Sequence, residues 1–276
     1  MIDLFLQMLS YPFLNRAIVV GTLVSLCASL LGVSLVLKRY SMIGDGLSHV
    51  GFGALAIATA ANAAPLAVAI PIVVAAAFLL LRLSENSKIK GDAAIALIST
   101  GALAIGVMAI SLSNGTNIDV YNYMFGSILA MSRGDVRLSV VLAAAVLTLY
   151  VIFYHKIFAI TFDENFARAT GVKAGWYNML IALLTAITIV LGMRLMGTLL
   201  ISSLVIFPAL TSMRILKSFR SVVICSAVLS VLCFLIGIFF SYIWSTPTGA
   251  SIVCVNIAAF FVFWAASFLL GRQRNR

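Results

Sequence analysis

The chain alternates long apolar runs with short polar or charged connections. Nine runs have about the 17 to 25 residues that an α-helix needs to cross the hydrocarbon core of a bilayer. They comprise residues 13–37, 42–61, 65–83, 93–112, 136–154, 174–191, 198–213, 222–242 and 248–270. The pattern predicts an all-α, polytopic membrane helix bundle with about nine transmembrane helices, forming one transmembrane domain over residues 1–276.

Two segments leave the number of spans open. The run 198–213 is short and contains Pro208. A broken or re-entrant element there would leave eight spans, an even number, which would place both termini on the same side of the membrane. The segment 121–131 is too short to cross, and it is a second candidate for an element that dips into the membrane from the outside.

The distribution of basic residues predicts the orientation. With the N-terminus outside, fourteen of the 18 Lys and Arg residues lie in the cytoplasm. The four on the opposite side are Arg16, Arg133, Arg137 and Arg194. Because cytoplasmic loops are enriched in Lys and Arg, this asymmetry predicts an outside N-terminus and a cytoplasmic C-terminus.

Composition supports a membrane protein and excludes several other classes. Hydrophobic residues make up 63% of the chain and charged residues only 9%, against about 25% charged in soluble domains. Lys38 and Arg39 follow the first run without an Ala-x-Ala cleavage pattern, so that run is expected to remain as a span. The net charge of +10 does not indicate nucleic-acid binding, since the basic residues lie in short clusters between apolar runs.

The strongest chemical signal is an ionisable pair inside the second apolar run. Asp45 and His49 are four residues apart, so on a helix they share a face with Cβ atoms about 5 to 6 Å apart. An Asp at the centre of a membrane helix costs about 2.5 to 3.5 kcal/mol, and such residues usually serve an ion path or a proton relay. The alternative is a structural hydrogen bond between helices.

The longest cytoplasmic interruption, residues 162–172, has the pattern of a short helix. Thr161 or Asp163 can cap its start, and Gly171 can end it. From these residues alone, a solvated connector is the favoured interpretation, because loops with such caps are common.

Five blocks of sequence together resemble the permease subunit of the bacterial zinc and manganese ABC importers. They are Leu37-Lys38-Arg39-Tyr40-Ser41-Met42-Ile43-Gly44-Asp45-Gly46-Leu47-Ser48-His49, Phe125-Gly126-Ser127-Ile128-Leu129-Ala130, Phe162-Asp163-Glu164 with Ala167-Arg168-Ala169 and Gly171-Val172, Gly197-Thr198-Leu199-Leu200-Ile201-Ser202-Ser203-Leu204 with Pro208-Ala209, and Thr246-Pro247-Thr248-Gly249-Ala250-Ser251-Ile252-Val253. The blocks occur in the family's order and extend over nearly the whole chain.

The resemblance implies a type II ABC importer fold and a set of partners. It implies a homodimer of permeases in the bacterial cytoplasmic membrane, two cytoplasmic ATPase subunits and an extracytoplasmic metal-binding protein. Asp45 and His49 map onto the family's metal path. The ATPase-coupling segment maps onto 162–172, with Asp163, Glu164, Ala167, Arg168 and Gly171 as its coupling residues.

The transported ion is expected to be a divalent metal, with no tightly bound cofactor. Zinc usually takes four ligands, and Asp45 with His49 supplies two per chain. A dimer could supply four, or two ligands with waters could hold the ion loosely enough to release it. Zinc is preferred because the block 125–130, followed by Met131-Ser132-Arg133, is similar to the zinc members; manganese or iron is the alternative. Met193 and Met196 are expected to pack rather than bind metal.

Other functional classes lack sequence support. The chain has no His-Glu-x-x-His motif and no Walker A motif, so neither a zinc protease nor ATP hydrolysis by this chain is predicted. Cys27, Cys225, Cys233 and Cys254 lie in apolar runs without CxxC spacing and are expected to be buried apolar side chains. A stand-alone channel or proton-coupled carrier fits the Asp-His pair alone, and dependence on an ATPase distinguishes it from an importer.

Overall fold

The computed structural model describes residues 11–86, 91–112 and 133–274, and every regular element in these ranges is an α-helix. The predicted block 125–130 and the proposed re-entrant segment 121–131 lie outside the described residues. The helices are α1 (Pro12–Leu37), α2 (Ile43–Ala60), α3 (Pro65–Asn86), α4 (Gly91–Leu112), α5 (Arg133–Ile152), α6 (Tyr154–Phe162), α7 (Glu164–Ala169), α8 (Ala174–Met213), α9 (Phe219–Trp244) and α10 (Thr248–Arg274).

The apolar runs and the helices agree closely. Within the described residues, eight helical stretches are long and apolar enough to cross a membrane. They correspond to eight of the nine predicted spans. The remaining predicted span is present as α2, the helix that contains Asp45 and His49. The prediction of an all-α membrane bundle is confirmed.

Helix α8 combines two of the predicted spans. Its halves, Ala174–Arg194 and Met196–Met213, are each long enough to cross a bilayer, and they meet at Gly197, where φ is 81° and ψ is 167°. This backbone conformation is outside the helical region and is readily adopted only by glycine. The break therefore lies at Gly197, whereas Pro208 is accommodated within the helix.

The helix α2 packs between α8 on one side and α3 and α4 on the other. Glycine makes the contact with α4 possible: a Cβ atom added to Gly53 would lie 2.5 Å from the backbone oxygen of Ala102. A small residue at this position thus allows the two helices to pack closely. The packing encloses α2 on nearly all sides.

Serine side chains join α1 to α9 inside the bundle. The hydroxyl of Ser230 donates to the backbone oxygen of Ser25 at 3.0 Å, and Ser226 donates to that of Ser29 at 3.4 Å. Such bonds between apolar helices stabilise their association in a bilayer.

The outer helices present apolar surface. Leu97 on α4 and Val262 on α10 are more than 60% exposed, as expected for side chains that contact lipid or another subunit.

Cys27 and Cys233 are buried, but Cys254 is exposed on α10, so the prediction that all four cysteines are buried is wrong. The reason is that α10 is covered on few sides, and an apolar run facing lipid looks the same in sequence as one facing protein.

Candidate functional site

Asp45 and His49 lie together on α2, as their spacing predicts. The Nε2 atom of His49 is 3.7 Å from Oδ2 of Asp45. This distance is too long for a hydrogen bond, but one cation can bridge it, because two atoms bound to a tetrahedral zinc ion are about 3.4 Å apart. The geometry is therefore that of a pair that can share a metal ion.

The pair forms an opening in an otherwise enclosed helix. From Ile43 to Ala56, every residue of α2 other than Asp45 and His49 is buried. The side chain of Asp45 is 44% exposed and that of His49 is 30% exposed. The carboxylate and the imidazole are thus the accessible groups on this stretch of α2.

Ser202 on α8 completes the polar surface of the site. Its hydroxyl oxygen lies 3.4 Å from Oδ1 of Asp45 and 3.0 Å from the backbone oxygen of Thr198. Ser202 lies in one of the blocks that resemble the permease family, but the sequence pattern alone indicates no role for it. Ser202 precedes the end of α8 at Met213 by about 16 Å of helix, which places the site well inside the apolar span.

One chain offers an incomplete metal site. In the described ranges, no group of three or more His, Cys, Asp or Glu side chains could hold a metal ion. Met193 and Met196 are buried, and their methyl groups pack toward Gly51 and Gly21, which confirms the expectation that they fill space. A complete site therefore needs ligands beyond the described side chains, such as water or a second chain.

The segment 162–172 contains the short capped helix that its sequence predicts. The side chain of Asp163 accepts a hydrogen bond from the backbone N–H of Phe166 at 2.9 Å, and helix α7 follows as Glu164–Ala169. At the other end Gly171 has a φ of 84°, and the N–H of Val172 donates to the oxygen of Ala167. The cap and the glycine stop are both confirmed.

One of the predicted coupling residues, Ala167, does not lie on the exposed surface of this segment. Ala167 is only 1% exposed because it packs into the chain's own core, so its small side chain does not offer a partner close access. Phe162 and Phe166 are 60% and 66% exposed. Together with Arg168, Ala169 and Thr170, they form what we call the docking face.

Glu164 joins this short helix to two others. It pairs with Arg168 through Nη2 and Oε1 at 2.6 Å, as the four-residue spacing predicts. Lys38, after α1, and Asn178, on α8, each contact Oε2 of Glu164 at 3.2 Å. Sequence reasoning missed both contacts because they join residues far apart along the chain.

The comparisons with known proteins agree with one another. The family model described as "ABC 3 transport family" matches residues 10–267. The Manganese transport system membrane protein MntC of Halalkalibacterium halodurans is 30% identical over 254 residues, covering 92% of this chain and 87% of the relative. A "Probable iron transport system membrane protein" of Haemophilus influenzae is 31% identical over 270 residues, covering 95% and 96%. The solved structure of PsaBC from Streptococcus pneumoniae in complex with a Fab matches with a TM-score of 0.85 and 28% identity, covering 96% and 95%.

Proposed function

The chain belongs to the ABC 3 transport family, and we propose that it forms the translocation path of a bacterial plasma-membrane importer for a divalent transition metal. It is a multi-pass membrane transport subunit rather than an enzyme, and ATP hydrolysis belongs to a separate subunit. The observation that carries the proposed cargo is the accessible Asp45–His49 pair within residues 43–56 of α2, a stretch that is otherwise buried.

Manganese is the cargo that we place first. The sequence preference for zinc rested on residues 125–133, and it gains no support from the relatives, whose names specify manganese and iron. A carboxylate and an imidazole beside a hydroxyl accept manganese, iron or zinc. Zinc therefore remains the second candidate, because the separation of the two ligand atoms suits it as well.

The partial exposure of Asp45 and His49 supports a dimer of this chain. Two copies that meet at the Asp45–His49 face would supply four ligands and would cover polar groups that lipid tolerates poorly. The docking face would then contact one ATPase subunit in each half of the complex. An extracytoplasmic binding protein would deliver the ion to the opposite side.

Transport by the reconstituted complex tests this proposal. The chain, copurified with its ATPase and reconstituted in liposomes with the binding protein, is expected to import radioactive manganese only with ATP. Radioactive zinc supplied at the same concentration should be imported more slowly than manganese. Faster import of zinc would reverse the order of the two cargoes, and uptake without the ATPase would indicate a channel or carrier.

The charge asymmetry predicts that the C-terminus is cytoplasmic. A reporter fused after Arg276 is expected to behave as a cytoplasmic domain, and a cysteine introduced before Tyr11 should react with an impermeant reagent added outside. The opposite result from both probes would show that the orientation is inverted. A C-terminal reporter on the outside with a reactive N-terminus would show an even number of crossings.

A further inference from the structure

Three side chains from three different helices meet beside the docking face. Lys38 directly follows α1, Glu164 is the first residue of α7, and Asn178 lies near the start of α8. The Nζ of Lys38 is 3.2 Å from Oε2 of Glu164 and also donates to Oδ1 of Asn178. The Nδ2 of Asn178 donates to Oε2 of Glu164 at 3.2 Å. The three groups form a closed ring of polar contacts, which we call the triad.

Burial distinguishes the triad from an ordinary surface ion pair. The side chain of Lys38 is 9% exposed, and Asn178 is 4% exposed. Burial alone would raise the pKa of Glu164, but the hydrogen bond from Asn178 and the charge of Lys38 lower it overall. The carboxylate thus stays ionised at neutral pH. Removing Glu164 would leave Lys38 and Asn178 buried without that contact, which is costly.

The connection between the triad and the metal site is short and held by backbone hydrogen bonds. The N–H of Tyr40 donates to the oxygen of Leu35 at 2.8 Å, and that of Ile43 donates to the oxygen of Tyr40 at 3.0 Å. These bonds fix the turn between α1 and α2, and Asp45 follows within the first turn of α2. A displacement of Lys38 is therefore passed to the start of the helix that carries Asp45 and His49.

We propose that the triad of Lys38, Glu164 and Asn178 transmits movement of the ATPase-docking helix α7 to the metal-binding helix α2. The inference rests on the proposed function, since it presupposes an ATPase at the docking face and a metal ion at Asp45 and His49. In this proposal the three residues are positioning residues: they link the docking face to the helix that carries the ion site.

The test compares transport with ATP hydrolysis in the reconstituted complex. Lys38→Met and Glu164→Gln are expected to retain the ATPase subunit but to lower manganese transported per ATP hydrolysed by about ten-fold, a typical loss of coupling. The double variant Lys38→Glu/Glu164→Lys should recover part of the coupling. The side-chain amide of Asn178 can rotate, so that its nitrogen donates to the carboxylate now at position 38 and its oxygen accepts from the ammonium group now at position 164. Recovery is partial because Arg168 loses its partner.

Lys217→Met is the matched control, since Lys217 is exposed in the connection between α8 and α9. It should leave the manganese transported per ATP hydrolysed unchanged.

The triad's role is overturned if Lys38→Met transports as much manganese per ATP as the wild type. It is also overturned if the charge-reversed double variant transports no more per ATP than the single variants. Loss of the ATPase subunit from Lys38→Met also overturns it, since the triad would then only support the docking face. A wild-type complex that hydrolyses ATP but moves no metal refutes the proposed function itself.

Discussion

Replacing Asp45 by Asn is expected to reduce metal uptake by about 100-fold or more, because the described residues bring only Asp45 and His49 together as charged or imidazole ligands at this site. Asparagine keeps the shape of the side chain but removes the negative charge that attracts the cation. His49→Ala should have a similar effect by removing the imidazole. Both variants should still insert in the membrane, since neither side chain lies in the buried core. Uptake of radioactive manganese by cells with matched permease levels measures the effect.

His155 provides the matched control for this prediction. It is the second of two histidines in the chain, and it is exposed on α6, away from α2. His155→Ala should transport at the wild-type rate. If Asp45→Asn and His49→Ala both do so as well, the pair has no role in transport and the metal path lies elsewhere.

Sequence patterns predict those features of this molecule that depend on neighbouring residues. The length of each apolar run predicts a helix because a buried or lipid-facing backbone must satisfy its own hydrogen bonds. The four-residue spacing predicts the shared face of Asp45 and His49. The cap at Asp163 and the stop at Gly171 follow from local backbone chemistry in the same way.

Features that depend on distant residues are not predictable in this way. Ser202 approaches Asp45 across 157 positions, and Lys38 approaches Glu164 across 126. No periodicity within one helix specifies which other helix will contact it. The burial of Ala167 has the same origin, since a small residue on a short helix suits a partner's surface and the chain's own core equally well.

Phe166 on the docking face is expected to be the main anchor for the ATPase subunit. Its ring is 66% exposed, and exposed aromatic side chains at protein interfaces often contribute about 2 kcal/mol or more when they enter a partner's pocket. Phe166→Ala should therefore weaken ATPase binding by about 30-fold. The fold should be little affected, because most of the ring contacts nothing in the chain. Copurification of the ATPase, followed by titration of the purified subunits, measures the loss.

Trp244 provides a control with the same exposure. It is also 66% exposed and lies at the end of α9, on the predicted outer side of the membrane. Trp244→Ala removes a comparable aromatic surface and should leave ATPase binding unchanged. Ala167→Trp is not an equivalent test, because that residue is buried and a larger side chain would disturb the chain's own packing. If Phe166→Ala and Trp244→Ala both bind the ATPase as the wild type does, α7 is a connector and the ATPase docks on another cytoplasmic surface.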